Sequence, residues 1–142
     1  MENNALITLT TVQYMNGIDE ERAELTTKGK YAEKNGKFYI IYEESEVTGF
    51  EDTTTTIKVS SEKMLLCRKG KFSSRMEFLP GEKRLCKYPT PYGDLAVAVK
   101  PVTFKNSLKK SGGDVRLEYM LDINNQIYAK NSIELNVRLL NQ

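Results

Sequence analysis

The stretch "DVRLEYMLDI", residues 114–123, decides the fold class. Its apolar side chains are Val115, Leu117, Tyr119, Leu121 and Ile123, and the charged residues Arg116, Glu118 and Asp122 alternate with them. An apolar residue at every second position is the period of an extended strand with one face in a core and the other in solvent. The stretch therefore predicts a half-buried antiparallel β-strand.

The sequence that follows repeats the same pattern. In "IYAKNSIELNVRLL", residues 127–140, one parity holds Ile127, Ala129, Ile133, Leu135, Val137 and Leu139. Between the two stretches lie Asn124 and Asn125, and asparagine tolerates the positive φ of a tight turn. The two stretches predict a long β-hairpin.

Toward the N-terminus the alternation continues and the helical period is almost absent. "KNGK", residues 34–37, places an Asn-Gly pair between two extended runs, which is a strong hairpin signal. In the first strand of the chain, Leu6, Val12 and Tyr14 share one face. About eight to ten short strands follow one another with turn signals between them, as in a sandwich or barrel. Because only closure removes exposed strand edges, we predict an all-β fold, a single antiparallel up-and-down barrel.

Length and composition limit the classes of protein. A chain of 142 residues predicts one domain, residues 1–142, and no apolar run approaches the roughly 20 residues of a membrane helix. The formal net charge of +2, from 21 basic and 19 acidic residues, gives no general attraction to nucleic acid. Glu2 stands where a signal peptide would carry positive charge, so we expect a cytoplasmic protein.

The absence of histidine excludes the commonest catalytic machinery. Without it, neither a Ser-His-Asp nor a Cys-His mechanism can form. Cys67 and Cys86 match no metal-ligand spacing, and although Arg84 and Lys87 flank Cys86, no histidine can act as its base. We therefore predict a protein that is not an enzyme and has no cofactor and no metal.

An acidic cluster precedes the centre of the chain. Its members are Glu43, Glu44, Glu46, Glu51 and Asp52. They lack the spacing of a calcium loop, and a run of charge before a turn is usually a solvated face. We predict that this cluster is solvated and carries no function.

The stretch "DTTTTIKV", residues 52–59, leaves two orientations open. Thr54, Thr56 and Lys58 share one face, whereas Thr53, Thr55, Ile57 and Val59 share the other. If Lys58 points inward beside Arg68, the first face is the polar floor of a cavity for the head group of an anionic amphipathic ligand. If it points outward, Ile57 and Val59 enter the core. The cost of burying an isolated charge favours the outward orientation.

A second candidate for ligand contact is "YPTPYGD", residues 88–94. Tyr88 and Tyr92 could form a rigid lip over the mouth of a cavity, because ligand pockets combine apolar walls with a few polar groups. The alternative is structural: Pro89 and Pro91 end one strand, and Gly93 permits the turn into the next.

Short motifs through most of the chain resemble those of a known family. They are "TTTTIKVS" (53–60), "LLCRKG" (65–70), "MEFLPG" (76–81), "KYPTPYGDL" (87–95) and "NSIELNV" (131–137). Their order and spacing resemble the YwiB-like family, small bacterial β-barrels of the calycin (lipocalin-like) type without a known function. The resemblance implies a calycin-like barrel, and it supplies no catalytic residues.

Two functions remain after these exclusions. The first is binding of a small apolar or amphipathic molecule, without catalysis, in or at the mouth of the barrel. The second is a filled barrel that acts as a protein-interaction or oligomerising module, for example as a homodimer. Barrels of this size can enclose a ligand or be filled by their own side chains, so only the interior distinguishes the two.

Overall fold

The computed structural model describes residues 3–15, 19–45, 50–71, 73–90, 93–123 and 126–140. It contains ten strands. They are β1 (Ala5–Met15), β2 (Asp19–Lys34), β3 (Lys37–Glu43), β4 (Thr53–Val59), β5 (Met64–Gly70), β6 (Ser74–Phe78), β7 (Arg84–Thr90), β8 (Gly93–Asn106), β9 (Gly112–Ile123) and β10 (Gln126–Leu139). Within these ranges there is no helix, and hence none long and apolar enough to cross a membrane.

The strands form one antiparallel sheet that curls into a nearly closed barrel. Its order is β6-β5-β4-β3-β2-β1-β10-β9-β8-β7, so neighbours in the sheet are neighbours in sequence except where β1 pairs with β10. The predicted up-and-down order is confirmed. Closure is less complete than predicted, because β6 and β7 lie side by side but no ladder of backbone hydrogen bonds joins them in the described ranges. We call this boundary the β6–β7 seam.

Alternation along each strand selects the face that fills the barrel. In β4 every second residue is buried, beginning with Thr53, and both Ile57 and Val59 are 0% exposed. On β9 and β10 the predicted apolar parity is also the inner one, with Leu117 and Leu135 almost completely buried. In β1 the predicted face of Leu6, Val12 and Tyr14 is buried only in part: Val12 is 7% exposed, whereas Tyr14 is 40% exposed. The buried residues at the start of this strand, Ala5 and Ile7, lie on the opposite parity.

Two local features allow the sheet to turn back on itself. Asn35 and Gly36 have φ values of 55° and 78° and connect β2 to β3 as a tight hairpin. Farther back in β2, pairing changes from β1 to β3 after Gly29. A Cβ on Gly29 would lie 2.4 Å from the Ile7 side chain and 2.5 Å from the carbonyl oxygen of Ile41. Only glycine fits this corner, where the β1 and β3 sides of the sheet approach each other.

A β-bulge changes the inner parity of β8. The register with β9 shifts between Pro101 and Thr103, so Val99 faces the core before the bulge and Phe104 packs against it afterwards. Val102, at the bulge, is 54% exposed. One extra residue on one strand is the usual way to bend a sheet toward closure.

Candidate functional site

A partly open cavity of about 530 Å³ lies in one half of the barrel. It is bounded by the C-terminal halves of β1 and β5, the N-terminal halves of β2 and β10, and the residues that follow β3. Its apolar lining includes Leu9, Val12, Leu25, Phe50, Leu66, Met76, Phe78, Tyr119 and Ile133, its polar lining includes Thr11, Gln13, Asn131 and Ser132, and its charged lining consists of Glu21, Arg22, Glu24, Glu44 and Arg68. Its volume falls within the range of small-molecule pockets, and apolar walls with a few polar groups are typical of them.

A buried ion pair forms one wall of this cavity. Glu44 continues the inner parity of Ile40 and Tyr42 one residue beyond the end of β3, and its side chain is only 2% exposed. Arg68 lies opposite Thr55 in the β4–β5 register, so it shares the inner face, and its side chain is 12% exposed. Arg68 Nε lies 3.7 Å from Glu44 Oε2. The two charges neutralise each other inside the barrel.

Two neighbours hold this ion pair in place. The hydroxyl of Thr55 donates a hydrogen bond to Glu44 Oε2. The guanidinium carbon of Arg68 lies 4.1 Å from the centroid of the Phe50 ring, a cation–π contact that also shields the cation from water. The second inward-facing threonine of the Thr53–Thr56 run therefore orients a buried carboxylate.

Three polar atoms of the cavity wall are buried without a hydrogen-bond partner among the described residues. They are Glu44 Oε1, Arg68 Nε and Asn131 Oδ1. Asn131 lies on the inner parity of β10, opposite Tyr119, and is 8% exposed. Buried polar atoms in native proteins are nearly always hydrogen-bonded, so these three atoms need partners from water or from another molecule in the cavity.

The pKa shifts follow burial. The pKa of Tyr42 lies well above its usual value because the phenol is buried and, secondly, because Glu44 places negative charge beside it. At the other end of the barrel, burial and then the charge of Glu33 raise the pKa of Tyr31 to about 12. Burial also raises the pKa of the Cys86 thiol, which disfavours the thiolate. Both tyrosines are therefore neutral at physiological pH.

The predicted cluster of Thr54, Thr56, Lys58 and Arg68 is not assembled. Thr54 and Lys58 lie on the outer face of β4, where Thr54 donates a hydrogen bond of 2.9 Å to Glu43 and Lys58 Nζ lies 5.7 Å from the Tyr39 ring centroid. Thr56 shares that outer face. Of the two orientations left open, β4 adopts the one that the cost of burying a charge favoured, with Lys58 outward. Lys58 and Arg68 are not paired, because the register sets Lys58 opposite Leu65 and Arg68 opposite Thr55, on opposite faces.

The two predicted tyrosines remain untested as ligand contacts. Tyr88 belongs to β7, but its side chain lies outside what the structure describes, and so does all of Tyr92. The strand order places the end of β7 and the start of β8 in the same half of the barrel as the cavity. A tyrosine lip at the mouth stays a prediction.

The sequence analysis missed the residues that the cavity brings together. Glu44 was assigned to a solvated acidic cluster, which was wrong, because β3 carries it into the interior. Asn131 was missed although it occupies the same parity as Ala129 and Ile133. In both cases the available signal was a polar side chain at an inner position of an alternating strand. Within the described ranges, no group of acidic or cysteine side chains is arranged to hold a metal ion.

Comparison with known proteins matches the barrel to a family. The model of a family described as a domain of unknown function, DUF1934, matches residues 7–135. The chain belongs to the DUF1934 family. A relative of this DUF1934 chain confirms the resemblance to the YwiB-like family. The chain is 25% identical over 108 residues to the uncharacterized β-barrel protein YwiB of Bacillus subtilis (strain 168), and the match covers 76% of this chain and 75% of that protein.

A solved structure supports the DUF1934 fold. The crystal structure of the ywiB protein from Bacillus subtilis matches with a TM-score of 0.83 at 20% identity, over 98% of this chain and 93% of that one. At this level of identity the match establishes a shared β-barrel fold. The finer assignment to the calycin type stays a prediction.

Proposed function

We propose that this DUF1934 protein binds a small, largely apolar molecule in the cavity of its barrel and does not transform it. The observation that carries this proposal is the cavity of about 530 Å³, in which apolar walls enclose three unpartnered polar atoms. A filled barrel would not leave this space. The cavity therefore supports the ligand-binding alternative over the filled barrel.

The chemistry of the wall supports binding without catalysis. The chain has no histidine, and the two charged groups buried in the wall, Glu44 and Arg68, are paired with each other. A general base must be free to accept a proton from the substrate, whereas Glu44 already receives a hydrogen bond from Thr55 and faces a cation. Both cysteines are free thiols, which supports a reducing compartment such as the cytoplasm.

The test uses an uncharged fluorescent probe, N-phenyl-1-naphthylamine, together with native mass spectrometry of freshly purified protein. Thr11→Trp places a large side chain in the cavity, because Thr11 lines it. Thr8→Trp is the matched control on the outer face of the same strand, where Thr8 lies 3.5 Å from the hydroxyl of Thr26. The chain has no tryptophan of its own, so each variant also carries a single fluorescence reporter.

We expect the wild type and Thr8→Trp to bind the probe equally and Thr11→Trp to bind it at least roughly tenfold more weakly, a change of about 1.4 kcal/mol. A small molecule that co-purifies with the wild type and is absent from Thr11→Trp would identify the ligand directly. If the wild type neither carries a molecule nor binds the probe, the proposal is wrong. Equal binding by all three proteins would place the probe outside the cavity.

A second candidate function is self-association or binding of another protein. It is favoured by Leu85 and Val102, which are 84% and 54% exposed on β7 and β8. Large apolar side chains that remain in water are candidates for a contact surface. Sedimentation velocity tests it: a dimer that becomes a monomer in Leu85→Lys and Val102→Lys would support this function, and a wild-type monomer at all concentrations would contradict self-association.

A further inference from the structure

The three unpartnered atoms of the cavity wall include both hydrogen-bond acceptors and a donor, and a ligand must supply the complementary groups. Glu44 Oε1 and Asn131 Oδ1 accept hydrogen bonds, and Arg68 Nε donates one. Both acceptors line the same cavity and belong to side chains that are more than nine-tenths buried. Two of the three wall atoms are acceptors, so a ligand that satisfies both must bring N–H or O–H donors.

The buried charges of the wall, Glu44 and Arg68, are already paired, and the other charged side chains that line the cavity, Glu21, Arg22 and Glu24, are exposed to water. An anionic head group, such as a carboxylate, would compete with Glu44 for Arg68, and one cation would then face two negative charges in the interior. A cationic head group would pair with Glu44 and leave the buried Arg68 without its counter-charge. Leaving one member of a buried ion pair without its partner is strongly unfavourable, so either charge is penalised and a neutral head group is not.

We propose that the cavity selects an uncharged amphipathic molecule whose polar end donates at least two N–H or O–H hydrogen bonds, such as a primary amide or a vicinal diol. This inference rests on the proposed function and adds the chemical class of the ligand. The two donors meet Glu44 Oε1 and Asn131 Oδ1, and the apolar part lies against Leu66, Phe78 and Ile133. It replaces the anionic ligand predicted from Lys58 and Arg68, because Lys58 lies outside the barrel.

The test is a competition series on one carbon chain, with decanamide, decanoate and decylammonium each displacing N-phenyl-1-naphthylamine from the wild type at neutral pH. We expect decanamide to bind at least roughly tenfold more tightly than either charged probe. If decanoate binds as tightly as decanamide, the inference is wrong. If the naphthylamine itself does not bind, the proposed function fails, so the two failures are distinguishable.

The variant Glu44→Gln should reverse the order of affinities of the three probes, which a merely structural role of Glu44 would not do. The variant keeps the shape of the side chain but removes the negative charge opposite Arg68, which lies 3.7 Å away in the wild type. We expect decanoate to become the tightest of the three probes, with a gain of roughly tenfold relative to decanamide. An unchanged order of the probes would overturn the assignment of Glu44.

Asn131→Leu is the second variant, and it leaves the ion pair intact. We expect it to weaken the binding of decanamide about fivefold, because one net hydrogen bond of roughly 1 kcal/mol is lost. Asn136→Leu is the matched control, since Asn136 is exposed on the outer face of the same strand. Equal affinities of both variants for decanamide would exclude Asn131 from the site.

Discussion

Lys58 and Arg68 show that the energetic role of a cation depends on the face of the barrel wall on which it lies. Lys58, on the outer face of β4, keeps its ammonium near the Tyr39 ring, whereas Arg68, on the inner face of β5, lies against Glu44 inside the barrel. An exposed cation contributes little to stability. A cation that neutralises a buried carboxylate is different, because its removal leaves the other charge uncompensated.

Arg68→Met should therefore lower the free energy of unfolding by roughly 3–5 kcal/mol. The matched variant Lys58→Met should change it by less than about 0.5 kcal/mol. In the double variant Glu44→Met/Arg68→Met, which removes both charges, stability should return to the wild-type value or exceed it. Urea unfolding measures all three, and equal stabilities of the two single variants would contradict the burial of the pair.

Tyr31 makes the stability depend on pH in the alkaline range. Its hydroxyl donates a 2.6 Å hydrogen bond to the carbonyl oxygen of Lys109, and its pKa is raised from 10.0 to about 12. Above about pH 10 the unfolded chain loses this proton and the folded chain does not, so the contribution is complete below pH 10 and is lost as the pH rises to about 12.

We expect urea unfolding between about pH 9 and 12 to show a steeper loss of stability for the wild type than for Tyr31→Phe. Lysine titration affects both proteins, so the difference between the two curves isolates Tyr31. At neutral pH the variant should be less stable by roughly 1 kcal/mol because the hydrogen bond is lost. Parallel curves over the alkaline range would contradict the raised pKa.

At the scale of the element, the β9–β10 hairpin shows how the period of two sets the inward-facing residues of paired strands opposite each other. Val115 opposes Leu135, and Leu117 opposes Ile133, so every inward position of one strand meets an inward position of the other. Because the register is set along the whole hairpin, a polar substitution on the inner parity affects packing on both strands. The same substitution on the outer parity remains in water.

Leu135→Asp should unfold the domain, since it removes a side chain that is 1% exposed and buries a carboxylate without a partner. The expected cost is roughly 5 kcal/mol or more, a large part of the 5–15 kcal/mol that stabilises a typical domain. Arg138→Asp, on the exposed parity of the same strand, is the control and should change stability by about 0.5 kcal/mol or less. A native circular dichroism spectrum and melting temperature for Leu135→Asp would show that the inner parity is misassigned.

At the scale of the whole molecule, the β6–β7 seam is the weakest part of the barrel wall. β1 is hydrogen-bonded on both sides, to β2 and to β10, whereas β6 pairs only with β5 and β7 only with β8 in the described ranges. Side chains hold the seam together, among them Arg84, whose Nε lies 3.6 Å from Glu77 Oε1. A partly exposed ion pair adds little, so we expect local opening to begin here.

Amide hydrogen exchange followed by NMR should detect this difference. About half of the amides of β6 and β7 point toward the seam, and we expect them to exchange roughly a hundredfold faster than those of Ile7 and Leu9 in β1. The amides of the same two strands that face β5 and β8 serve as the internal control. Uniform protection along β6 and β7 would mean that a backbone ladder closes the barrel in solution.

The sequence by itself determined the fold class. Alternation of apolar and polar residues is a local property of each strand, so the period of two, the Asn-Gly turn and the absence of helical patterns predicted an all-β barrel of about ten strands. The same alternation correctly predicted the inner faces of β9 and β10, where the apolar parity is unambiguous. Local signals were sufficient wherever one face was clearly apolar and the other clearly charged.

Only the tertiary structure decided the composition of the cavity. Both faces of the threonine run carry polar side chains, so periodicity alone does not determine whether Lys58 points into or out of the barrel. The neighbouring strands determine its orientation, because they place Ile57 and Val59 in the core. The burial of Glu44 is likewise decided far from its own sequence, because the registers from β3 to β5 bring Arg68 to it. A charge is tolerated in the interior only when its counter-charge arrives from another strand, and that coincidence is a property of the assembled barrel.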